Sequence, residues 1–230
     1  MTVGDTSNWD DFFQEILIPA VVAHVITTWE HMPKPGPSDL EDAISDKLYS
    51  ALVNAKRRSD FPFLIRREDL EFDTDLAKET GRKDIVFFPS LQEQEVYLCL
   101  EAKRLNAVIS GVRRSLADEY VKEGMQRFVD GKYARFVRHG AMLGYVLDGD
   151  TDRAMTNVAN NIRIRLTELR MEKNGGFQPS TVRPADPLTK ETHHRRENET
   201  ADFRIHHLFM AAVLTDEPAT GEIVGEDTTN

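Results

Sequence analysis

The sequence is poor in cysteine and in long apolar runs, and each scarcity excludes a class of protein. The one cysteine in 230 residues, Cys99, excludes an internal disulfide and a cysteine-rich zinc site. The longest apolar stretch, residues 16–23, is far shorter than the roughly 20 residues that span a bilayer. The first eleven residues lack the basic segment and apolar core of a signal peptide. We therefore expect a cytoplasmic protein that has no membrane-spanning segment.

Positive charge is also scarce, since the net charge is −10. Nucleic-acid binding depends on Lys and Arg neutralising phosphates, so this balance argues against loose binding over the whole surface. The charge is uneven, however. Residues 216–227 carry acidic and no basic side chains, whereas residues 103–138 carry nine basic and four acidic ones. A locally positive face on an acidic protein is compatible with this distribution.

Three regions are expected along the chain. Residues 1–32 form an N-terminal helical extension, because apolar residues recur at helical spacing over residues 9–31. This helix either packs on the core or docks onto a partner. Residues 33–214, which follow the break at Pro33–Pro37, form the main domain. Residues 215–230 form an acidic tail that we expect to be disordered.

The main domain is predicted to be mixed α/β, with a central β-sheet flanked by helices. Ser38 and Glu41 fit a capping box that opens a helix ending at residues 56–58. Strands are predicted at residues 61–75, 82–89, 96–103, 142–147 and 203–213, and helices at residues 118–136 and 152–173. Residues 174–201 are polar and contain Gly and Pro, which predicts a long mobile loop.

A charged pair ends the most apolar predicted strand. Side chains alternate along a strand, so Glu101 and Lys103 point the same way while Ala102 points into the core. Burying such charges without a partner is costly, and a divalent cation would serve Glu101. Asp84, at the start of the preceding strand, is the expected second ligand. Magnesium takes hard oxygen ligands and keeps several waters, so the Ala102 carbonyl would complete the protein ligands and Lys103 would hold the attacking water.

These residues make the chain resemble the PD-(D/E)XK, or restriction-endonuclease-like, nuclease superfamily. The matching positions are Asp84, in Lys83-Asp84-Ile85-Val86-Phe87, and Glu101-Ala102-Lys103; the resemblance covers about residues 38–150. Lys83 stands where the family's proline is usual. The resemblance implies an αβββαβ core and hydrolysis of phosphodiesters that depends on Mg²⁺, with Mn²⁺ able to substitute. It also implies an acidic residue on the first core helix, here Glu41. That residue is either a metal ligand or the capping-box glutamate.

Candidate nucleic-acid contacts lie after the charged pair. In the superfamily the next helix abuts the active site, which implies phosphate contacts from Lys122, Gln126 and Arg127; Arg104 is grouped with them. The alternative is a solvated helix face whose Tyr120, Phe128 and Tyr133 belong to the core. The histidine pairs at 193–194 and 206–207 lack zinc-ligand spacing.

From these residues and the resemblance we expect a magnesium-dependent nuclease acting on DNA. No sequence-reading, helicase or methyltransferase segment is visible, so targeting is expected to come from a partner protein or from self-association. Defence against phage or other foreign DNA is the setting inferred by analogy. Two alternatives stay open: a non-catalytic binding or assembly module built on the same fold, and a ribonuclease using the same site.

Overall fold

The computed structural model describes residues 17–73, 78–89, 97–135, 137–197 and 202–212. Its helices and strands are α1 (Ile18–His31), α2 (Glu41–Lys56), β1 (Phe63–Asp73), β2 (Lys78–Pro89), β3 (Leu98–Leu105), β4 (Ala107–Ile109), β5 (Val112–Arg114), α3 (Ala117–Glu119, a π-helical Tyr120–Met125, and Gln126–Val129), β6 (His139–Val146), α4 (Thr151–Ile164), β7 (Gln178–Pro179), β8 (Thr189–His194) and β9 (Phe203–Ala211). The predicted helical residues 9–16 and the predicted tail lie outside the described residues.

Seven strands form one mixed sheet in the order β1-β2-β3-β6-β9-β8-β7. The pairs β1–β2, β2–β3, β8–β9 and β7–β8 are antiparallel, while β3 and β9 both run parallel to β6. The three central strands, β3, β6 and β9, are almost wholly buried. The apolar runs of β3 and β6 are typical of strands that are covered on both faces. The predicted mixed α/β fold, with a central sheet flanked by helices, is confirmed.

Helices cover both faces of the sheet. Strand residues of one parity, such as Leu100 and Leu143, pack with α1 and α2, and those of the other parity, such as Cys99 and Met142, pack with α3 and α4. Helix α1 therefore belongs to the core, and Trp29 fixes its end by donating from Nε1 to the carbonyl of Ala211 at 2.8 Å. Among the described residues, none of the helices combines the length and the apolar character that crossing a bilayer would require.

Several predicted elements were wrong in extent. The loop expected over residues 174–201 contains β7 and β8, and β8 is a strand of the main sheet whose polar residues hide its periodicity. Helix α4 ends at Ile164, where its buried stripe of Ala154, Val158 and Ile162 ends. Helix α3 stops at Val129 because Gly131 turns the chain with a φ of 68°. The short hairpin β4–β5 was not predicted at all.

Candidate active site

The site lies where β2 and β3 separate. Among the described residues, the β2–β3 ladder consists of the pairs Phe87–Leu98, Val86–Cys99 and Ile85–Leu100. Beyond these pairs, the backbone N–H of Ala102 donates to Oδ2 of Asp84 at 2.8 Å. The Asp84 carboxylate thus accepts the hydrogen bond that a main-chain carbonyl would accept in a continuing β-ladder. This contact holds Asp84 beside the Glu101–Lys103 segment.

Lys103 draws the remaining candidate residues together. Its Nζ donates to Oε1 of Glu41 at 2.8 Å, to Oε1 of Glu101 at 3.0 Å and to the carbonyl of Ala102 at 2.8 Å. The sequence predicts that Glu41, Glu101 and the Ala102 carbonyl provide ligands for a cation. The Lys103 ammonium group is therefore bound by the predicted metal ligands. Glu41, Asp84 and Glu101, together with Lys103, are called the carboxylate cluster below.

Glu41 does not act as the glutamate of a capping box. Helix α2 begins at Glu41 itself, its N-cap is Leu40, and no side chain in the described part of the chain caps it. The carboxylate instead turns to β3, where Oε2 accepts from the backbone N–H of Arg104 at 3.0 Å. The capping-box prediction is wrong because the extended backbone of Leu40 delays the start of the helix. Ser38 therefore lies too far before the helix to cap it.

Glu101 is the most unfavourably placed charge of the cluster. Its side chain is 2% exposed, and its buried Oε2 has no hydrogen-bond partner among the described residues. Burial, and after it the charge of Asp84, raises the pKa of Glu101 to about 8. Burial lowers the pKa of Lys103, but the carboxylates of Glu101 and Glu41 outweigh this effect and leave that pKa raised. Lys103 is therefore a firmly protonated hydrogen-bond donor.

Arg127 reaches the cluster from α3. Its Nη1 donates to the hydroxyl of Tyr133 at 2.7 Å and to Oε1 of Glu101 at 3.3 Å. Burial, with the charge of Glu101, raises the pKa of Tyr133 to about 12. Tyr133 is a core residue, as the alternative interpretation of this helix proposed, yet its hydroxyl also holds Arg127 beside the site.

The other nominated basic and polar residues do not join the cluster through their side chains. Lys122 is exposed. The amide of Gln126 donates to Oδ1 of Asp130 and to the carbonyl of Glu168. The guanidinium of Arg104 donates to the carbonyl of Asp39 at 3.1 Å.

Arg67 of β1 belongs to the site although the sequence did not single it out. Its side chain is 11% exposed, and its Nη1 lies 3.5 Å from Oδ1 of Asp84. The same Nη1 donates to the Asp84 carbonyl at 3.1 Å, and Nε donates to Oδ1 of Asp46 at 3.0 Å. The sequence did contain an indication of this role. In the predicted strand, Arg67 lies on the same face as Phe63 and Ile65, which is the buried face.

The donor set fits a hard divalent cation in part. The buried Oε2 of Glu101, which no described residue binds, is an oxygen ligand of the kind that magnesium takes. This ion needs only one or two protein carboxylates beside its waters. In the described part of the chain, however, no group of three or more His, Cys, Asp or Glu residues is arranged to hold a metal ion. Magnesium would therefore depend on Asp84, Glu101 and the Ala102 carbonyl, with water or substrate completing its shell.

A second buried polar group lies on β8 and β9. His207 contacts the Tyr120 hydroxyl through Nδ1 at 2.9 Å and Oγ1 of Thr192 through Nε2 at 2.8 Å. The same Oγ1 lies 2.7 Å from Nε2 of His194, whose Nδ1 contacts the carbonyl of Leu169 at 2.8 Å. This chain of hydrogen bonds ties α3, β9 and β8 to the turn that follows α4.

Two further histidines are stacked on each other nearby. Nδ1 of His139 lies 3.0 Å from Nε2 of His206, with ring centroids 5.3 Å apart. Burial lowers the pKa of His139 to about 3 and that of His194 to about 4, and it lowers the pKa values of His206 and His207 well below the usual range. All four rings are therefore neutral near pH 7, and they are called the histidine group below.

No protein-family model, curated protein or solved structure matches this chain. The function of the site is therefore inferred from its own residues and geometry.

Proposed function

We propose that the protein is a magnesium-dependent nuclease that hydrolyses phosphodiester bonds, in DNA rather than RNA. The observation that carries the proposal is the environment of Glu101. Its Oε2 is buried without a hydrogen-bond partner among the described residues, beside the carboxylate of Asp84 and the ammonium of Lys103. A protein that kept such a carboxylate for stability alone would gain by replacing it, so a bound cation is its natural partner.

The order of the elements supports the proposal. Apart from the inserted β4–β5 hairpin, helix α2 is followed by β1, β2, β3, α3 and β6, and these four strands are neighbours in the sheet in that order. This succession agrees with the αβββαβ order that the resemblance implies, and so it supports the proposal. Glu41 lies on α2, Asp84 on β2 and Glu101 on β3, which is the distribution that the proposal requires.

Charge balance further favours a cation together with an anionic substrate. Three carboxylates face three side-chain cations, namely Glu41, Asp84 and Glu101 against Lys103, Arg127 and Arg67. With all three carboxylates ionised, the cluster is thus close to neutral. A divalent cation would give it a net positive charge, which suits a phosphodiester and the additional negative charge that develops during its hydrolysis.

Each residue then has a distinct role. Asp84, Glu101 and the carbonyl of Ala102 would hold magnesium, with Glu41 assisting, and the ion would supply the charge that polarises the scissile phosphate. Lys103 stays protonated, so it orients the attacking water by donating a hydrogen bond and does not act as a base. Arg127 would contact a phosphate oxygen once Glu101 is neutralised by the ion.

The acidic surface suits a nuclease held on its substrate by other contacts. We therefore include in the proposal a partner protein or a second copy of the chain that assists binding. A role in defence against foreign DNA is proposed only by analogy with the superfamily that the chain resembles. The net charge of −10 supports the need for such assistance, because it disfavours unassisted binding to nucleic acid.

The test is cleavage of plasmid DNA, linear DNA and RNA by the purified protein with Mg²⁺, with Mn²⁺ or with chelator. We expect cation-dependent cutting of DNA, and a loss of roughly 10²–10³-fold in Lys103→Ala, because that variant lacks one charged donor at the reacting centre. Lys173→Ala, at an exposed lysine beyond α4, is the matched control and should cut normally.

Three results would contradict parts of the proposal. Cutting of RNA alone would favour the ribonuclease alternative. Binding of DNA without cutting under any cation condition would favour the non-catalytic module. Equal cutting by the wild type and Lys103→Ala would remove the proposed site from the reaction.

A further inference from the structure

Arg67 connects the two elements that carry Glu41 and Asp84. Its Nε is bound to Asp46 on α2, and its Nη1 is bound to the backbone carbonyl of Asp84 on β2. Arg67 itself lies on β1, opposite Ile85 in the register. A single planar guanidinium thus spans α2 and β2 at the place where β2 and β3 separate.

The contacts of Arg67 determine how the Asp84 carboxylate is held. Oδ2 is fixed by the backbone N–H of Ala102, and Oδ1 faces Nη1 of Arg67 at 3.5 Å. The same Nη1 also binds the Asp84 carbonyl, so backbone and side chain of Asp84 are aligned by one group. Rotation of the carboxylate would break one of these contacts.

The position of the guanidinium is maintained at a cost. Its Nη2 is buried without a hydrogen-bond partner among the described residues, since the carboxylates of Asp42 and Glu68 are both 4.0 Å away. An unsatisfied buried donor costs about 1–3 kcal/mol. The contacts made by Nε and Nη1 are therefore the ones that fix this side chain.

We propose that Arg67 is a positioning residue, which orients Asp84 for binding of the divalent cation. The inference rests on the proposed function, because it assigns Asp84 to the cation. Residues that hold a metal ligand in place typically contribute a factor of about 10–100 to metal affinity.

The charge of Arg67 and its role in positioning Asp84 have opposite effects on cation affinity, so a suitable substitution can separate them. Arg67 carries a positive charge close to the cation site, so removing that charge alone should tighten cation binding. Arg67→Lys retains the charge but loses the planar fork that reaches Asp46 and Asp84 together. If Arg67 positions Asp84, this variant should bind the cation more weakly. If only the charge of Arg67 matters, its cation affinity should not change.

The experiment is titration of the full chain with Mn²⁺, in which unbound ion is measured by electron paramagnetic resonance and no nucleic acid is present. We expect the Kd for Mn²⁺ to rise about 10-fold or more in Arg67→Lys. Arg66→Lys is the matched control. Arg66 is the neighbouring strand residue, it is 56% exposed and it pairs with Asp69, so the Kd should not change.

A second pair of variants tests the same link from α2, should Arg67→Lys fold poorly. Asp46→Ala and Asp42→Ala each remove one exposed carboxylate from the same helix, but only Asp46 accepts a hydrogen bond from Arg67. Asp46→Ala should weaken Mn²⁺ binding more than Asp42→Ala does.

The outcomes separate the two proposals. If the wild type binds Mn²⁺ and Arg67→Lys binds it equally well, or if Asp46→Ala and Asp42→Ala behave alike, the role of Arg67 is overturned and the proposed function stands. If the wild type binds no Mn²⁺, the proposed function fails and the role of Arg67 fails with it.

Discussion

The same sheet buries two polar groups that are stabilised in opposite ways. In the histidine group, imidazoles and hydroxyls form neutral hydrogen bonds, as in the chain from Tyr120 through His207 and Thr192 to His194. In the carboxylate cluster, charges oppose charges, and Glu101 retains a buried oxygen that no described residue binds.

The difference lies in what each group can do without a ligand. A neutral imidazole can leave one nitrogen unprotonated, so the Nδ1 of His206, which no described residue binds, is a small cost. The carboxylate of Glu101, at 2% exposure, carries an unfavourable buried charge unless it binds a proton or a cation. We therefore regard the histidine group as part of the core and the carboxylate cluster as the proposed binding site, and two substitutions test this comparison.

The largest effect is expected from Glu101→Gln on catalysis. The substitution keeps the shape of the side chain but removes the charge that would bind the cation, so cutting should fall by at least roughly 10²-fold. The measurement is the initial rate of plasmid cleavage with Mg²⁺ under single-turnover conditions. Undiminished cutting would show that the buried carboxylate has no part in the reaction.

The second effect concerns the histidine group and should be confined to stability. His207→Leu leaves the hydroxyls of Tyr120 and Thr192 without their shared partner, which should lower the free energy of unfolding by roughly 2–4 kcal/mol. Urea denaturation at pH 7 measures this loss, and the rate of cutting by the folded variant should be unchanged. A selective loss of cutting would instead place the histidine group in the catalytic machinery.

The same group sets the acid limb of the stability curve. The folded-state pKa values of His139 and His194, about 3 and about 4, lie below the unfolded value of 6.5. The unfolded chain therefore binds more protons, and stability should fall as the pH drops from 6.5 towards these values. His207→Leu should make this fall shallower, because one imidazole fewer resists protonation; an unchanged slope would mean that His207 is already charged in the folded state.

The smallest effect is a gain in stability from Glu101→Gln at alkaline pH. The folded pKa of Glu101, about 8, exceeds its usual 4.5, so the folded chain binds more protons between these values. Stability of the wild type should therefore fall as the pH rises from 4.5 to 8. Without divalent cation, the variant should exceed the wild type at pH 8. The gain should be well below the roughly 4 kcal/mol that this difference in pKa implies, because the amide also gives up the ion pairs with Lys103 and Arg127.

Thermal unfolding at pH 5 and pH 8, with and without Mg²⁺, measures this gain. The difference between variant and wild type should be small at pH 5, and at pH 8 it should shrink when Mg²⁺ is added, because the ion stabilises the wild type alone. A variant less stable than the wild type at pH 8 would mean that Glu101 is a structural ion-pair partner.

Much of the fold could be predicted from the sequence because local patterns coincide with tertiary burial. The continuous apolar runs of β3 and β6 mark central strands, and the buried side chains of α1 recur at helical spacing. Strand β8 could not be predicted in this way. Its buried residues, such as Glu191 and Thr192, are polar and are satisfied by partners distant in sequence.

The sequence by itself determined the mixed α/β class, the central strands and the Asp84, Glu101 and Lys103 set, because strand alternation and apolar runs are encoded locally. Only the tertiary structure decided that Glu41 reaches Lys103 and Arg104 and does not cap its helix. It also decided that Arg127 and Arg67 approach the carboxylates from α3 and β1. The physical reason is that a charged side chain takes its partners from whatever the sheet and helices bring within about 4 Å, and residues as far apart as 41 and 103 carry no local signal of that proximity.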